Sequence, residues 1–408
     1  MIPATASRAF AESRAPAPAY DRLAGLKLAL FSGNYNYLKE GANQALNKLV
    51  RHLEDQVGAT VRVYSPTTRT PAFEPQGTLI SVPSISLPGR SEFRLGLGLG
   101  RSVRKDIEAF GPDLIHIATP DISGNQAQTF AQAHGIPIVS SLHTRFETYC
   151  DYYGLRMLRP IVEQSLDRFY ARCDLTLLPT PAMVAEFATR YGPGKTALWG
   201  RGVDSHRFDP AHRSEAWRRS HGIGQDDIAL LFFGRLVLEK NVDHYAQVIQ
   251  RLRSQGLPVK AVIIGDGPAR RRMAALLPDA LFTGHLAGDD LSVAVASCDI
   301  LLNPSMTEAF GNVTLEGMAA GLAVVAARIG SATNLISDGV DGVISHHDVM
   351  QYTQAVTALI TDPNRRAAIA CAARETACEW RWDQILDHVL TGYESVLDRR
   401  QRLQEPRA

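Results

Sequence analysis

The sequence predicts an α/β protein with two Rossmann-like, doubly wound domains that face each other across a cleft. Short apolar runs, typical of buried strands, alternate with segments long enough to hold crossover helices, which is the pattern of a parallel sheet. The pattern occurs in the first half of the 408-residue chain and starts again near residue 228. A chain of this length is also about twice the size of a typical single domain. Two parallel sheets are therefore expected.

Each predicted strand is a run of apolar residues bounded by glycine, proline or polar residues. The first run ends at Ser32-Gly33, and a helical pattern follows Gly41. In the first half the predicted strands cover Leu26–Phe31, Thr60–Tyr64, Leu114–Ala118, Ile136–Leu142 and Leu175–Leu178. In the second half they cover Ile228–Phe233, Val259–Ile264, Ala280–Phe282, Ile300–Leu302 and Ala323–Ala326.

Composition places the domain boundaries. Residues 1–24 form a tail rich in Ala, Pro, Arg and Ser that is predicted to be disordered, and residues 25–200 form the N-terminal domain. The C-terminal domain covers residues 201–380 and begins in an irregular segment rich in Gly and Arg. Residues 381–408 carry an apolar stripe at i, i+4 and i+8, which predicts an amphipathic helix that returns to the first domain.

Charge and cysteine content exclude several classes of protein. The net charge is +1, so a basic face for nucleic acid is not expected. The five cysteines form no CxxC pair, which favours reduced thiols and a cytoplasmic protein. No segment has the apolar core of a signal peptide or the roughly 18 apolar residues of a membrane span. The chain is therefore predicted to be cytoplasmic, with peripheral contact on the inner face of the membrane as an option.

The most informative segment is EAFGNVTLE, which places seven residues between two carboxylates, Glu308 and Glu316. A turn at Phe310-Gly311 lets a helix begin near Asn312, and the exposed N–H groups of a helix start bind anions. Fully helical spacing would put the carboxylates roughly 12 Å apart. That span fits a nucleotide sugar, with the sugar near Glu308 and the ribose near Glu316. The alternative is that Glu308 caps the helix and Glu316 is solvated.

A second segment, GRLVLEKN at Gly234–Asn241, follows the first strand of the second half. Arg235 and Lys240 leave the carboxyl end of this strand, where doubly wound sheets bind their ligands. Two cations there can balance a diphosphate without a metal, each contact contributing roughly 1.5–3 kcal/mol. The alternative is a salt-bridged surface loop.

In combination, the motifs resemble those of the family 4 retaining glycosyltransferases of GT-B fold. The segments that carry the resemblance are GRLVLEKN, IIGDGP (Ile263–Pro268), GHL (Gly284–Leu286) and EAFGNVTLEGMAAGLAVVA (Glu308–Ala326). Two further segments are similar to the branch that holds bacterial mannosyltransferases and sulfoquinovosyltransferases. They are RGVDSHRFDP (Arg201–Pro210) and SLHTRFETYCDYYGL (Ser141–Leu155).

The resemblance implies transfer of a hexose from a UDP- or GDP-linked donor, with retention and without a required metal or other cofactor. The acceptor is a hydroxyl on a lipid or glycan bound by the N-terminal domain, and the C-terminal domain binds the donor. Implied donor contacts are Arg235 and Lys240 on the diphosphate, Glu308 on sugar hydroxyls, Glu316 on the ribose, the amides of Asn312, Val313 and Thr314 on phosphate or sugar, and the loops at Gly41 and Gly234. At Gly41 this chain has Glu40-Gly41-Ala42, where the family often has Gly-Gly or Asn-Gly.

Two histidines and a Gly-Asp pair are further candidates for the site. His143 follows a predicted strand, and in the family a histidine at this place lies close to the reacting sugar; the alternative is a histidine bonded to backbone. His116 lies inside a strand and is predicted to be a buried, satisfied imidazole. Gly265 and Asp266 belong to a segment that lacks the third glycine of a dinucleotide fingerprint, so they are predicted to line the base or ribose pocket.

Two segments mix apolar and basic residues, Arg90–Lys105 and Tyr152–Arg172. Such a surface suits anionic lipid and a lipid-linked acceptor. Core packing with basic flanks explains the same composition.

Other functions were also considered. An NAD-dependent oxidoreductase needs GxGxxG after the first strand, and Ser32–Gly41 lacks it. A nucleotide-sugar epimerase of GT-B type and a non-catalytic sugar-nucleotide sensor remain open on the sequence.

Overall fold

The computed structural model describes residues 20–38, 40–87, 90–145 and 156–404. They form two compact units. The first unit contains the described residues as far as Gly200, together with those from Asp383 onward, and the second unit is Arg201–Trp382. Residues 1–19 of the predicted tail lie outside the described residues, whereas Tyr20–Leu23 form a short helix with Leu23 buried.

The first unit is built on one large parallel sheet and a separate antiparallel hairpin. Its strands are β1 (Lys27–Phe31), β2 (Thr60–Ser65), β3 (Thr78–Ser81), β4 (Ser84–Leu87), β5 (Arg90–Gly96), β6 (Leu114–Ile117), β7 (Ile138–Ser141), β8 (Leu175–Leu178) and β9 (Thr196–Leu198). Its helices are α1 (Tyr20–Leu23), α2 (Gly41–His52), α3 (Arg101–Phe110), α4 (Ile122–His134), α5 (Arg159–Ala171) and α6 (Pro181–Tyr191).

The large sheet has seven strands in the order β3-β2-β1-β6-β7-β8-β9, and β4 pairs with β5 in the hairpin. Strands β6, β7 and β8 are buried along their whole length, which explains their apolar sequences, because a parallel sheet is covered on both faces. The helices present one apolar face to the sheet. Helix α3, for example, buries Val103, Ile107 and Phe110.

The second unit contains a single parallel sheet. Its strands are β10 (Ile228–Phe233), β11 (Val259–Ile264), β12 (Leu281–Gly284), β13 (Ile300–Asn303), β14 (Ala323–Ala327) and β15 (Val343–Ser345). Its helices are α7 (Glu215–Ser220), α8 (Val242–Ser254), α9 (Arg270–Leu276), α10 (Gly288–Ala296), α11 (Asn312–Ala319), α12 (Gly330–Leu335), α13 (Val349–Thr361) and α14 (Pro363–Cys378), and α15 (Trp382–Gln404) begins at its last residue.

This sheet has six strands in the order β12-β11-β10-β13-β14-β15, which is the strand order of a doubly wound Rossmann sheet. Its core includes Leu230, Ile263 and Leu302, all nearly inaccessible to solvent. The buried hydroxyl of Tyr245 on α8 donates to the Leu230 carbonyl oxygen at 2.6 Å, which satisfies this polar group inside the core.

The predicted fold class is confirmed, because both units contain a parallel sheet flanked by helices. The ten predicted strands all exist, with ends that differ by at most two residues. The sequence analysis did not predict the hairpin β4–β5 or the short strands β3, β9 and β15.

Strand order reverses between β1 and β6 in the first unit and between β10 and β13 in the second. At such a switch point the connections on either side leave in opposite directions, so a crevice opens at the carboxyl ends of the two strands. In the second unit, GRLVLEKN follows β10 and EAFGNVTLE follows the segment after β13. The topology therefore brings both motifs to one edge of one sheet.

Candidate functional site

Backbone and side-chain contacts hold the loops after β10 and β13 together. Asn241 adopts φ +54°, in the left-handed region, and it directly precedes α8. Its Nδ2 donates to the Pro304 carbonyl oxygen at 2.9 Å, and Thr307 Oγ1 donates to the Glu239 carbonyl oxygen at 3.3 Å. The two motifs are thus fixed relative to each other.

Lys240 and Glu308 form an ion pair at the centre of this arrangement. Lys240 Nζ lies 2.5 Å from Glu308 Oε1, and the two side chains are 27% and 14% exposed. The alternative in which Glu308 caps the following helix is wrong, because that helix begins at Asn312 and its N-cap residue is Gly311. Glu308 also lies outside the helix, so the fully helical spacing between the two glutamates does not apply.

Helix α11 begins without a side-chain cap. Gly311 adopts φ +100° at the N-cap position, a conformation that strongly favours glycine. The amides of Asn312, Val313 and Thr314 are the first three of the helix and have no partner inside it. Among the described residues, the buried Asn312 Oδ1 has no hydrogen-bond partner. The helix start therefore combines a partial positive charge with an unsatisfied polar atom, which suits a polar, anionic ligand.

Glu316 occupies the second turn of α11 and is half-buried rather than solvated. Burial raises the pKa of this carboxyl from 4.5 to about 8; Arg207 opposes the shift and Glu308 adds to it. The Coulomb contributions mean that Glu316, Arg207 and Glu308 lie close enough to influence one another. A carboxyl whose pKa is close to neutral pH is a common property of ligand sites.

Two glycines bring the loops after β10 and β11 into contact. Gly265 adopts φ +136°, and a Cβ at this position would lie 1.9 Å from the carbonyl oxygen of Gly234. Gly234 itself adopts φ +132°, and its own added Cβ would meet Val313 Cγ2 at 3.7 Å. The predicted residues Gly234, Gly265 and Val313 are therefore neighbours. Close backbone approach explains the glycine at 265, and the positive φ explains the glycine at 234.

Asp266 and Arg235 lie in the same two loops. The carbonyl oxygen of Asp266 accepts from the Leu236 amide at 2.9 Å, and its carboxylate accepts from the Gly267 amide at 2.7 Å. Its side chain is 57% exposed. Arg235 is half-buried between Gly234 and the buried Leu236.

In the first unit, Gly41 is the first residue of α2, as predicted, and its N-cap residue Glu40 makes no side-chain cap. Glu40 instead accepts a hydrogen bond from Asn34 Nδ2 at 3.3 Å. The first turn of α2 is therefore a second uncapped helix start that follows a strand at a switch point.

His143 follows β7 and is partly exposed, and its Nε2 lies 2.9 Å from Ser141 Oγ. Its ring meets that of Trp199 edge to face, with centroids 5.0 Å apart. His116 is buried and hydrogen-bonded at both nitrogens, which confirms its predicted character.

Several residues of these arrangements were missed by sequence reasoning. Asn241 is the one non-glycine with positive φ among the described residues, and Arg207 lies inside a motif to which no role was given. Asparagine is one of the few residues besides glycine that adopt a left-handed backbone, so its position directly before a predicted helix was the available signal for Asn241. Among the described residues, no group of three or more His, Cys, Asp or Glu has the arrangement of a metal site.

Comparison with known proteins was informative over most of the chain. Residues 40–207 match the Glycosyltransferase Family 4 model, and residues 227–362 match the Glycosyl transferases group 1 model. A GDP-mannose-dependent alpha-mannosyltransferase of Mycolicibacterium smegmatis is 30% identical, over 92% of this chain and 99% of that protein. The chain belongs to glycosyltransferase family 4.

Two further proteins similar to this family 4 chain are named for different activities. Sulfoquinovosyl transferase SQD2 of Arabidopsis thaliana is 32% identical, over 84% of this chain and 68% of that protein. A solved structure of sucrose-phosphate synthase from Thermosynechococcus elongatus has a TM-score of 0.75 at 17% identity and covers 92% of this chain and 100% of that one. The fold is GT-B, and this family 4 chain is a retaining hexosyltransferase that uses nucleotide sugars.

The raised pKa of Glu316 makes stability depend on pH. The folded protein holds a proton between the carboxyl's ordinary pKa of 4.5 and about 8, whereas the unfolded chain has released it, so this group's contribution to stability falls as pH rises across that window. Glu316→Gln removes the titration. We expect the variant to gain melting temperature relative to wild type as pH rises from 5 to 8, measured by thermal unfolding.

Glu375→Gln is the matched control, because Glu375 is an exposed glutamate on α14 of the same unit. Its melting temperature should follow that of wild type at every pH. An equal pH dependence for wild type and Glu316→Gln would show that Glu316 is ionised across the range.

Proposed function

We propose that this enzyme transfers a hexose from UDP or GDP to a hydroxyl of a lipid or glycolipid acceptor, and that it acts peripherally on the inner face of the cytoplasmic membrane. The observation that carries the donor part is the pairing of Lys240 with Glu308 beside the uncapped start of α11. A cation, a carboxylate and helix amides at one sheet edge match the diphosphate and the sugar hydroxyls of such a donor.

The proposed donor orientation follows from the charges. The diphosphate lies at the amides of Asn312–Thr314, with Arg235 and Lys240 supplying positive charge. Glu308 accepts hydrogen bonds from sugar hydroxyls, and Glu316 accepts them from the ribose. The loops at Gly234, Gly265 and Asp266 form the remainder of the donor pocket, Gly41 approaches the phosphates, and His143 contacts the reacting sugar.

In the proposed reaction the acceptor attacks on the face from which the diphosphate departs, which retains the anomeric configuration. The leaving phosphate oxygen takes the acceptor's proton. The protein holds donor and acceptor in position and stabilises the charge that develops on the diphosphate. Lys240 stabilises the negative charge that develops on the departing phosphate. It is available for this because Glu308, its ion-pair partner, then binds the sugar hydroxyls.

The reaction itself is testable with the purified chain. We expect transfer from a UDP- or GDP-hexose to a diacylglycerol-based acceptor in mixed micelles, and the same rate in excess EDTA, because two cations and a helix start already face the diphosphate. Product analysis by mass spectrometry and NMR gives the linkage and the anomeric configuration.

Each alternative gives a distinct outcome of this assay. Activity lost in EDTA and restored by Mg²⁺ or Mn²⁺ would contradict the metal-independent reaction. Free nucleotide and sugar formed equally without acceptor would indicate an epimerase-type or hydrolytic activity. Binding of donors without any turnover would indicate a sensor.

Glu308 and Glu316 should differ in their kinetic roles. Glu308→Gln should lower kcat by roughly 100-fold, a loss of about 2.7 kcal/mol, because contacts to the sugar change in the transition state. Glu316→Gln should mainly raise the donor KM, because the ribose contacts the protein equally before and during reaction. Steady-state rates against donor concentration separate the two, and wild-type kinetics in both variants would contradict the donor assignment.

A lipid acceptor is supported by an exposed surface in the first unit. Met157 and Ile161 are 92% and 64% exposed at the start of α5, and Leu158 between them is 47% exposed. Arg156 and Arg159 stand on either side of Met157 and Leu158 in sequence. Apolar side chains beside arginines suit the interface of an anionic membrane. Tyr152–Leu155 of the predicted segment lie outside the described residues.

The other predicted segment, Arg90–Lys105, is less available to a membrane. Arg94 donates to Ser84 Oγ at 2.8 Å and to the Ser84 carbonyl oxygen at 3.1 Å, which ties it within the hairpin. Helix α3 turns its apolar residues into the core. Among the helices of the described residues, none has the length and hydropathy needed to cross a bilayer.

Co-flotation with phosphatidylglycerol-containing vesicles at low salt tests this surface. We expect wild type to bind, and Met157→Glu/Ile161→Glu to bind at least about 10-fold more weakly, because each removed side chain contributes roughly 1.5–3 kcal/mol when buried in lipid. Met350→Glu, at a methionine 46% exposed in the second unit, is the control. Equal binding by all three proteins would remove the role of this surface.

A further inference from the structure

A chain of hydrogen bonds runs through the first unit from the C-terminal helix to His143. Tyr393 Oη on α15 lies 2.6 Å from His116 Nδ1, and His116 Nε2 lies 2.8 Å from Ser141 Oγ. Ser141 Oγ also lies 2.9 Å from His143 Nε2. Tyr393 and His116 are completely buried, and Ser141 is 2% exposed. The positions of the hydrogens between Tyr393 and Ser141 are therefore determined by protein groups and not by solvent.

Tyr393 determines which group donates and which accepts in each of these hydrogen bonds. Within the part of the protein that the structure describes, His116 Nδ1 is the hydrogen-bond partner of the Tyr393 hydroxyl. A buried hydroxyl hydrogen needs an acceptor, so Tyr393 donates and His116 Nδ1 accepts. Burial lowers the pKa of His116 to about 3, so the ring is neutral and its single proton is on Nε2.

The remaining protons follow in sequence. His116 Nε2–H donates to Ser141 Oγ, and the Ser141 hydroxyl then donates to the other neighbour of its oxygen, His143 Nε2. In the reverse direction the buried Tyr393 hydrogen would have no acceptor among the described residues. Leaving a buried hydroxyl unsatisfied disfavours that direction by about 10-fold or more.

We propose that Tyr393, His116 and Ser141 are positioning residues that hold His143 neutral, with its proton on Nδ1 and its Nε2 occupied by the serine. Resting on the proposed function, this defines what His143 does there. His143 enters the reaction as a neutral ring whose Nε2 is already an acceptor for the Ser141 hydroxyl. Trp199, packed against both imidazole rings, fixes the ring plane.

The tautomer can be measured directly on the full chain. In protein labelled with ¹⁵N-histidine at pH 7.5, the His143 resonances, assigned by their absence from His143→Gln, should show a protonated Nδ1 and an unprotonated Nε2. A protonated Nε2, or an imidazolium ring, would overturn the proposal. The measurement needs no turnover, so it gives its answer whether or not the proposed transfer reaction is correct.

Variants of the chain test the positioning role. Ser141→Ala and Tyr393→Phe should each give a mixture of His143 tautomers, and Ser141→Thr, which keeps the hydroxyl, should restore the single form. Ser140→Ala is the matched control, because Ser140 is buried on the same strand and its hydroxyl contacts Thr176 Oγ1 at 2.8 Å instead. A single unchanged tautomer in both Ser141→Ala and Tyr393→Phe would show that the chain of contacts is merely structural.

Discussion

The adjacency of β10 and β13 is the constraint on which the proposed donor site depends. Because the strand order reverses at this pair, the loops that follow the two strands emerge side by side at one sheet edge. Asn241 reinforces the arrangement through its left-handed backbone and its bond to Pro304. Without this pairing, Lys240 and Glu308 would have no reason to meet, since 67 residues separate them in the chain.

Burial then decides the charge of the groups that the fold has gathered. Glu308 has Lys240 Nζ within 2.5 Å, whereas the half-buried Glu316 is desolvated, and this raises its pKa despite the opposing charge of Arg207. Two side chains of identical chemistry thus lie in different electrostatic surroundings, one beside a cation and one at a helix position where desolvation favours the neutral carboxyl. A ligand that brings several hydroxyls and a diphosphate supplies the hydrogen bonds and charges that these groups lack. In the proposed function, donor binding is therefore coupled to the electrostatics of Lys240, Glu308 and Glu316.

The sequence allowed the strands of both sheets and the two loop motifs to be predicted, because apolar runs and the polar residues at strand ends are local signals. It was insufficient for β3, β9 and β15, whose three or four residues carry too little periodicity to stand out. The expectation of fully helical spacing between Glu308 and Glu316 failed for a different reason, because Gly311 breaks the backbone between them. Contacts between residues distant in sequence could not be predicted. Tyr393 and His116 are hydrogen-bonded although 277 positions separate them, and no local sequence pattern indicates such a contact.

The two units prepare their polar groups by different physical means. In the second unit, Lys240 and the uncapped start of α11 lie close together and suit an anionic ligand. The charges of the neighbouring glutamates therefore depend on what binds there. In the first unit a buried tyrosine imposes one proton arrangement on a histidine about three hydrogen bonds away, independently of any ligand. No free energy is needed during the reaction to order these hydrogen bonds. The packing of α15 against β6 and β7 has already determined which group donates in each of them. In this proposal the C-terminal helix, remote in sequence from every motif of the family, sets the protonation of His143.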